Sequence, residues 1–212
     1  MLLIHTMYIE VRHPLVQHKL SLVRDKATGS KLFRELVGEI SKFLAYEALR
    51  EIPTEPVAVE TPLETAQCHR VTSEIVLVPI LRAGIGMLDA LTDLVPNARI
   101  GFLGMYRDPV TSEPVEYYAK LPQATDDSIA IVIDPMLATG GSSSAAVQLL
   151  KDKGFKKIIF ICIVSCPEGL AALSKDHPSV PIYTACVDRQ LNDHNYILPG
   201  LGDAGDRLFG TK

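Results

Sequence analysis

The sequence contains no tryptophan and only four cysteines among its 212 residues. No two of these cysteines form a C-x-x-C pair, so we expect buried free thiols rather than a zinc site or a disulfide framework. No apolar run approaches the roughly 20 residues that a membrane-spanning helix needs. Residues 1–4 are apolar, but His5 follows without a basic flank or a cleavage site, so a secretory signal is not predicted. These absences predict a cytoplasmic protein that makes no contact with a membrane.

An excess of positive charge is also lacking. Lysine and arginine total 21 and aspartate and glutamate 25, which gives a net charge of −4. A dedicated nucleic-acid-binding protein normally has a basic surface, so we expect no nucleic-acid partner. Apolar residues, in contrast, make up 47% of the chain. That content predicts a substantial core and a single domain over residues 1–212.

The most informative stretch is residues 131–142. It begins as a short apolar, β-branched run typical of a strand buried on both faces. The run breaks at Asp134, and the chain then turns through residues 139–141. Small and apolar residues follow, which predicts a helix that Ser142 or Ser143 caps.

A strand, a glycine turn and a helix N-terminus together form a phosphate-binding site. The glycines allow close backbone approach, the first amides of the helix lack helical partners, and the helix dipole favours an anion. The stretch is neither a lysine-containing P-loop nor a G-x-G-x-x-G motif. Asp134 ends the strand, where its carboxylate could accept hydrogen bonds from two vicinal hydroxyls, so the pattern predicts a ribose 5-phosphate site. An ordinary strand-to-helix turn stays open as the alternative.

A second junction of the same kind precedes this one. A buried strand over 74–81 runs into Arg82, Ala83 and Gly84, and residues 87–94 look helical. In a parallel sheet both junctions lie at the carboxyl edge, where α/β proteins bind ligands. The cation at the second turn therefore predicts a second anion beside the first.

The rest of the chain alternates strands and helices, which predicts a doubly wound parallel sheet flanked by helices. Residues 1–30 look like an N-terminal arm that packs over the domain or a neighbouring subunit, and His13 and His18 lack the partners of a metal site. The other predicted elements are a helix over 30–50, a hairpin or edge strands at 57–61 and 67–71, strands over 99–106, 115–120, 156–165 and 181–187, and a helix over 167–174.

Two further segments carry functional predictions. Residues 104–120 predict a flexible loop or hairpin that closes over the site and delivers Arg107, although a plain surface hairpin is equally open. The C-terminal segment 188–212 contains Gly202-Asp203-Ala204-Gly205, whose main chain has almost no side chain in the way. Such a main chain can bind the edge of a planar heterocycle, with Ile197 against its face.

Two long motifs, residues 134–142 and 196–206, closely resemble those of the uracil phosphoribosyltransferase family. Residues 79–84 and 104–107 look like the same family's pyrophosphate-side loop and arginine loop. The similarity runs from about Val11 to Lys212. Most phosphoribosyltransferases carry two adjacent acidic residues where this chain has Asp134-Pro135, and the proline form is typical of the uracil branch.

The resemblance implies a type I phosphoribosyltransferase fold with a β-hairpin arm and a C-terminal loop that covers the base. It implies the reaction of uracil with 5-phosphoribosyl 1-diphosphate (PRPP) to give UMP and diphosphate. Mg²⁺ would be held mainly by diphosphate and ribose oxygens, with no metal-ligating cage of side chains. A homodimer or homotetramer is expected, and GTP is a candidate effector.

The resemblance also assigns roles to residues. The catalytic residues would be Asp134, Arg107 and Asp203. The PRPP-binding residues would be Arg82, Arg107, Asp134, Pro135, Met136, Leu137, Ala138, Thr139, Gly140, Gly141, Ser142 and Asp203. The uracil-binding residues would be Ile197, Gly202, Asp203 and Ala204. Three alternatives stay open: transfer to another nucleobase, a non-catalytic pyrimidine-sensing regulator that binds RNA, and a nucleotide-binding domain without activity.

Overall fold

A mostly parallel β-sheet forms the centre of the computed structural model, which describes residues 8–107 and 114–211. The strands are β1 Tyr8–Glu10, β2 Thr54–Glu60, β3 Thr65–Val71, β4 Glu74–Leu81, β5 Arg99–Ile100, β6 Phe102–Arg107, β7 Pro114–Lys120, β8 Ser128–Ile133, β9 Met136–Leu137, β10 Lys157–Ser165, β11 Ile182–Val187, β12 Gln190–Leu191 and β13 Ile197–Leu198. The helices are α1 Pro14–Arg24, α2 Ser30–Ala48, α3 Ile85–Leu94, α4 Gly141–Asp152, α5 Pro167–Asp176 and α6 Ala204–Phe209.

The strand order of the main sheet is β1-β11-β10-β8-β4-β6-β7, and every pairing in it is parallel except that of β6 with β7. Helices cover both faces. Alternate residues of β8 enter different cores, since Ile131 and Ile133 pack with α1, α2 and α3, whereas Val132 packs with α4 and α5. The structure therefore confirms the predicted doubly wound parallel sheet. Residues 129–133 of β8 are all apolar because helices cover both faces of this strand.

The N-terminal segment, expected as an arm that packs over the domain or a neighbouring subunit, packs on the domain with regular secondary structure. Over its described residues it forms the edge strand β1, which pairs with β11, and the helix α1. Pro14 occupies the first helical position and the His13 side chain accepts a hydrogen bond from the Leu15 amide, so the proline starts the helix rather than interrupting a chain. The apolar residues Val16 and Leu20 are buried against the domain. This segment is therefore part of the packed fold.

The sequence predicted a hairpin or edge strands in this region, and the structure has a hairpin formed by β2 and β3. The two strands form their own antiparallel sheet, separate from the main one. Its apolar residues are largely uncovered, with Leu63 at the turn 95% exposed and Val59 41% exposed. A two-stranded hairpin with uncovered apolar residues is marginally stable in water, so this element needs a partner surface.

All four cysteines are free thiols, and Cys162, Cys166 and Cys186 are buried as expected, whereas Cys68 is only partly buried. Burial raises the pKa of Cys166 to about 11 and that of Cys186 to about 12, so neither forms a reactive thiolate near neutral pH. Within the described residues, no helix combines the length and the apolar character needed to cross a membrane.

Candidate active site

The two glycine turns meet at the carboxyl edge of the sheet, beside the C-terminal segment, and enclose a cavity of about 510 Å³. The cavity is lined by Ala83, Asp134, Met136, Ala138, Thr139, Gly140, Ser142, Ser143, His194, Asn195, Tyr196, Ile197, Gly202, Asp203, Ala204 and Gly205. A larger cavity, of about 810 Å³, lies at the opposite edge near the start of β4 and contains none of these residues. The smaller cavity is the candidate site because ligands of parallel α/β sheets bind at the carboxyl edge.

Residues 138–142, called here the phosphate loop, lead into α4. Gly140 has a φ of +83° and is the N-cap, without a side-chain cap. The expected cap by Ser142 or Ser143 is therefore wrong, because the left-handed glycine starts the helix earlier and places both serines in its first turn. The first helical hydrogen bond runs from the Ser144 amide to the Gly140 carbonyl at 2.8 Å. The preceding first-turn amides have no helical acceptor, which suits an anion.

Helix α5 packs directly behind the phosphate loop. A Cβ on Gly169 would lie 2.5 Å from the carbonyl oxygens of both Leu137 and Ala138. The Cys166 thiol lies 3.1 Å from the Ala138 oxygen. The loop is thus supported from behind by main chain and small side chains, which limits its movement.

Not all of the predicted PRPP-binding residues reach the cavity. Pro135 and Leu137 are buried, and Gly141 does not line the cavity. Leu137 packs in the core that α4 and α5 cover. The Pro135 carbonyl accepts hydrogen bonds from two amides of β10, at 3.0 Å each. These residues shape the loop, whereas Asp134, Met136 and residues 138–140 border the space for a ligand.

Asp134 lies at the end of β8 with its carboxylate half-buried. Burial raises the pKa of this carboxyl group to about 7, and the Met136 amide, which donates to Oδ1 at 3.2 Å, lowers it. In the ligand-free protein this carboxyl group therefore titrates near neutral pH. Hydroxyl donors from a ligand would favour the charged form.

The second junction contributes Ala83 to the cavity lining, whereas the predicted PRPP-binding residue Arg82 does not line the cavity. Arg82 is 57% exposed, and its Nη2 is 3.7 Å from Oδ1 of Asp206 and its guanidinium 5.8 Å from the Phe209 ring centroid. The peptide bond before Arg82 is cis. Ala83 lines the cavity, and a Cβ on Gly84 would lie 2.4 Å from the Ile133 carbonyl. Glycine at 84 thus lets this turn approach the strand end that carries Asp134.

The C-terminal segment brings the predicted uracil-binding residues to the same cavity. Ile197, Gly202, Asp203 and Ala204 all line it. Asp203 is the N-cap of α6, where its Oδ1 accepts a hydrogen bond from the Asp206 amide at 2.8 Å. One carboxylate oxygen of Asp203 therefore holds the helix start, a structural role that the sequence analysis did not include.

Sequence reasoning missed His194 and Asn195, which also line the cavity. They lie in the turn between β12 and β13, where the Asn192 side chain accepts hydrogen bonds from the amides of His194 and Tyr196 at 2.9 Å each. The Asn-Asp-His-Asn sequence is a turn signal, yet nothing in it indicates a cavity. Arg107 ends β6, and its side chain and residues 108–113 lie outside the described part of the chain.

Comparison with known proteins gives consistent results. The family model described as "Uracil phosphoribosyltransferase" matches residues 10–211. The "Uracil phosphoribosyltransferase" of Natranaerobius thermophilus is 57% identical over 203 residues, which cover 95% of this chain and 97% of the relative. A solved protein of Aquifex aeolicus is 38% identical with a TM-score of 0.92, covering 97% of this chain and 99% of its own. A hypoxanthine phosphoribosyltransferase of Trypanosoma cruzi, 11% identical with a TM-score of 0.50 over 74% of this chain and 75% of its own, shares the fold alone.

Proposed function

The chain belongs to the uracil phosphoribosyltransferase family, and we propose that it transfers the phosphoribosyl group of PRPP to uracil, giving UMP and diphosphate. The observation that carries this proposal is the cavity at the carboxyl edge of the sheet. It borders the phosphate loop, the Asp134 carboxylate and residues 202–204, of which Gly202 and Asp203 are exposed and Ala204 is buried. A 5-phosphate, a ribose and a flat base therefore each have a suitable neighbour in one space.

The phosphate loop would bind the 5-phosphate of PRPP. The uncapped first turn of α4 offers amides, and Thr139 and Ser142 border the cavity with hydroxyl groups. Asp134 would accept hydrogen bonds from the two ribose hydroxyls and so fix the sugar. This arrangement orients the anomeric carbon toward the base, which lowers the entropic part of the barrier.

The leaving diphosphate would lie on the side of Arg82. As the glycosidic bond breaks, negative charge grows on the diphosphate, and the positive charge of Arg82 stabilises it. Arg107 is the last residue of β6, at the same edge of the sheet, and would contribute a second cation, which is a proposal from the sequence. Electrons of the ring oxygen stabilise the cation-like anomeric carbon, a uracil nitrogen forms the new bond to it, and the proton of that nitrogen passes to the departing diphosphate or to water.

The carboxylates that border the cavity, Asp134 and Asp203, fit Mg²⁺ only as partners of a substrate-held ion. No group of three or more His, Cys, Asp or Glu side chains within 8–107 and 114–211 is arranged to hold a metal by itself. Mg²⁺ commonly binds substrate phosphates with one or two carboxylates. Bound in that way, Mg²⁺ would neutralise diphosphate charge, with Asp134 nearest to the ribose hydroxyls.

The base would be bound by main-chain groups of Ile197, Gly202 and Ala204. Uracil presents an acceptor–donor–acceptor edge, and cytosine reverses part of that pattern. A mismatched base would leave buried main-chain groups unpaired, which is costly compared with the loss of a solvent-exposed contact. The proposed site therefore discriminates against cytosine strongly.

The direct test is to measure UMP formation from uracil, PRPP and Mg²⁺, with cytosine, hypoxanthine, adenine and orotate as matched bases. We expect turnover with uracil and a rate at least 100-fold lower with cytosine. The assay is run with and without GTP, because a GTP effector is part of this proposal. Turnover with a purine instead would contradict the base assignment. No turnover with any base in either condition, together with salt-sensitive RNA binding, would favour the regulator.

We also propose a homodimer in which the β2–β3 hairpin docks on a second copy. The uncovered Val59 and Leu63 supply apolar area that has no cover within the described chain. We expect light scattering to give about twice the 23.2 kDa chain mass, and the double substitution Val59→Asp/Leu63→Asp to lower it toward one chain. Leu32→Asp is the matched control, because Leu32 is also an exposed apolar residue but lies at the start of α2, whereas the hairpin follows the end of that helix. This substitution should leave the mass unchanged. An unchanged mass for the double variant would refute docking through the hairpin.

A further inference from the structure

Residues 197–205, called here the base loop, are held by a largely buried ion pair between Arg24 and Asp188, which lie 164 residues apart in the sequence. Arg24, the last residue of α1, donates from Nη1 to Asp188 Oδ2 at 2.8 Å and from Nη2 to Asp188 Oδ1 at 2.7 Å. The Asp188 side chain is only 6% exposed and that of Arg24 25%. The hydrogen bond with Asp188 raises the pKa of Arg24, so the guanidinium stays charged.

Both partners also bind the main chain of Gly200. The Gly200 carbonyl accepts a hydrogen bond from Arg24 Nη1 at 2.7 Å, and the Gly200 amide donates to Asp188 Oδ2 at 2.8 Å. A single ion pair thus satisfies the donor and the acceptor of one residue in the base loop. The peptide planes on both sides of Gly200 are fixed by these contacts.

The next residue is held in a similar way by a second guanidinium. Arg207 Nη1 donates to the Leu201 carbonyl at 2.8 Å, and its Nη2 donates to the Asp25 carbonyl at 2.7 Å. Its guanidinium carbon lies 4.2 Å from the ring centroid of Phe33. The base loop is therefore attached to the end of α1 and the start of α2 at two successive residues.

The base loop requires such support because of its glycines. Gly200 and Gly202 have φ values of +61° and +82°. Glycine samples positive and negative φ about equally, so these residues confer little rigidity of their own. Recognition by main-chain groups depends on the direction of each N–H and C=O, and a rotated peptide would offer a different pattern.

We propose that Arg24 and Asp188 are positioning residues that determine base selectivity by holding the peptide groups of the base loop in the orientation that matches uracil. This inference rests on the proposed function, because it concerns how that site chooses its base. A buried ion pair contributes little net stability compared with apolar residues of the same volume. In this pair the hydrogen bonds are directional, and they fix the orientation of the Gly200 N–H and C=O groups, which an apolar contact cannot do.

The test uses Arg24→Lys and Asp188→Asn, which keep size and avoid an empty space in the core. Lysine keeps the charge, but its single nitrogen cannot bind both Asp188 oxygens and the Gly200 carbonyl in the fork geometry of arginine. We expect the KM for uracil to rise about tenfold in each variant while the KM for PRPP stays within about twofold. We also expect the preference for uracil over cytosine, as a ratio of kcat/KM values, to fall by about tenfold or more.

Hydrogen exchange provides a second readout. Exchange at residues 198–205 should accelerate in both variants, whereas exchange in α4 should not change. Arg50→Lys is the matched control, since Arg50 forms the same kind of forked ion pair with Glu47 at the surface, far from the cavity. The control should match the unsubstituted protein in every measurement.

A merely structural role predicts a different result. If the variants have a lower melting temperature or a smaller active fraction, while both KM values and the preference for uracil over cytosine stay unchanged, the proposal is overturned. An equal rise of both KM values would overturn it as well, because the effect would not be specific to the base. Failure of the proposed function is distinguishable, since the unsubstituted protein would then form no UMP.

Discussion

We expect Asp134→Asn to lower kcat/KM for PRPP about 100-fold or more and yet to stabilise the ligand-free protein at pH 8. The loss of activity follows because asparagine offers one uncharged oxygen where the carboxylate offers two charged acceptors to the ribose hydroxyls. Hydrogen bonds to charged groups contribute about 1.5–3 kcal/mol each. The gain in stability follows because burial raises the pKa of Asp134 from 3.8 to about 7.

The stability gain depends on pH in a defined window. Below about pH 4 the Asp134 carboxyl group is protonated in both the folded and the unfolded protein. Between about pH 4 and 7 the unfolded chain loses this proton while the folded protein keeps it, so stability falls as pH rises. Above about pH 7 the folded protein carries the full cost of the charge, which we expect to be of order 1–3 kcal/mol for this half-buried group.

Thermal unfolding of the ligand-free protein and of Asp134→Asn at several pH values tests this. The difference in melting temperature should favour the variant at pH 8 and vanish near pH 4. Asp126→Asn is the control, because Asp126 is exposed and the ion pair with Lys156 lowers its pKa. Its substitution should not stabilise the protein at pH 8, and a variant Asp134→Asn that melts below the unsubstituted protein there would contradict the argument.

The same carboxyl group predicts how activity depends on pH. The kcat/KM for PRPP should fall as pH decreases through about 7, because the protonated group accepts hydrogen bonds from the ribose hydroxyls less well. PRPP itself also titrates near this pH. The pH profile of kcat/KM for Asp134→Asn reports this contribution of the substrate, which is then subtracted from the profile of the unsubstituted protein. Identical slopes for both proteins would assign the pH dependence to the substrate alone.

Gly84→Ala should have the second largest effect, a destabilisation of about 3 kcal/mol or more with loss of most activity. The added Cβ would lie 2.4 Å from the Ile133 carbonyl and 2.7 Å from both the nitrogen and the oxygen of Ile80. All three atoms belong to the main chain of central strands, which cannot move without disturbing the core. Relief requires the turn that carries Arg82 to shift away from the strand that carries Asp134.

Gly38→Ala is the matched control for this substitution. Gly38 lies inside α2, and its Cβ would meet only the Ala90 methyl group at 3.7 Å, an ordinary contact. Because alanine is a better helix former than glycine, this variant should gain up to about 1 kcal/mol. Denaturant unfolding and PRPP kinetics of both variants test the pair. Equal stability of Gly84→Ala and the unsubstituted protein would show that the turn is not confined as described.

The elements that position the site were predictable because their signals are local. The strand β4 was predicted over 74–81 and is observed over Glu74–Leu81, since a continuous apolar run is what a strand buried on both faces requires. The phosphate loop was predicted from glycines between a strand and a helix. The start of α4 was not, because a left-handed Gly140 and a capping serine are compatible with the same residues.

The sequence by itself determined the parallel sheet, the two glycine turns at its carboxyl edge, and the family whose motifs the chain carries. Only the tertiary structure decided what holds the base loop. Arg24 and Asp188 are 164 residues apart, Arg24 and Gly200 176, and Arg207 and Val23 184. Such contacts follow no helical or strand period, since they arise when α1 packs beside the end of β11. The segment expected as an arm thereby supports the residues proposed to choose the base.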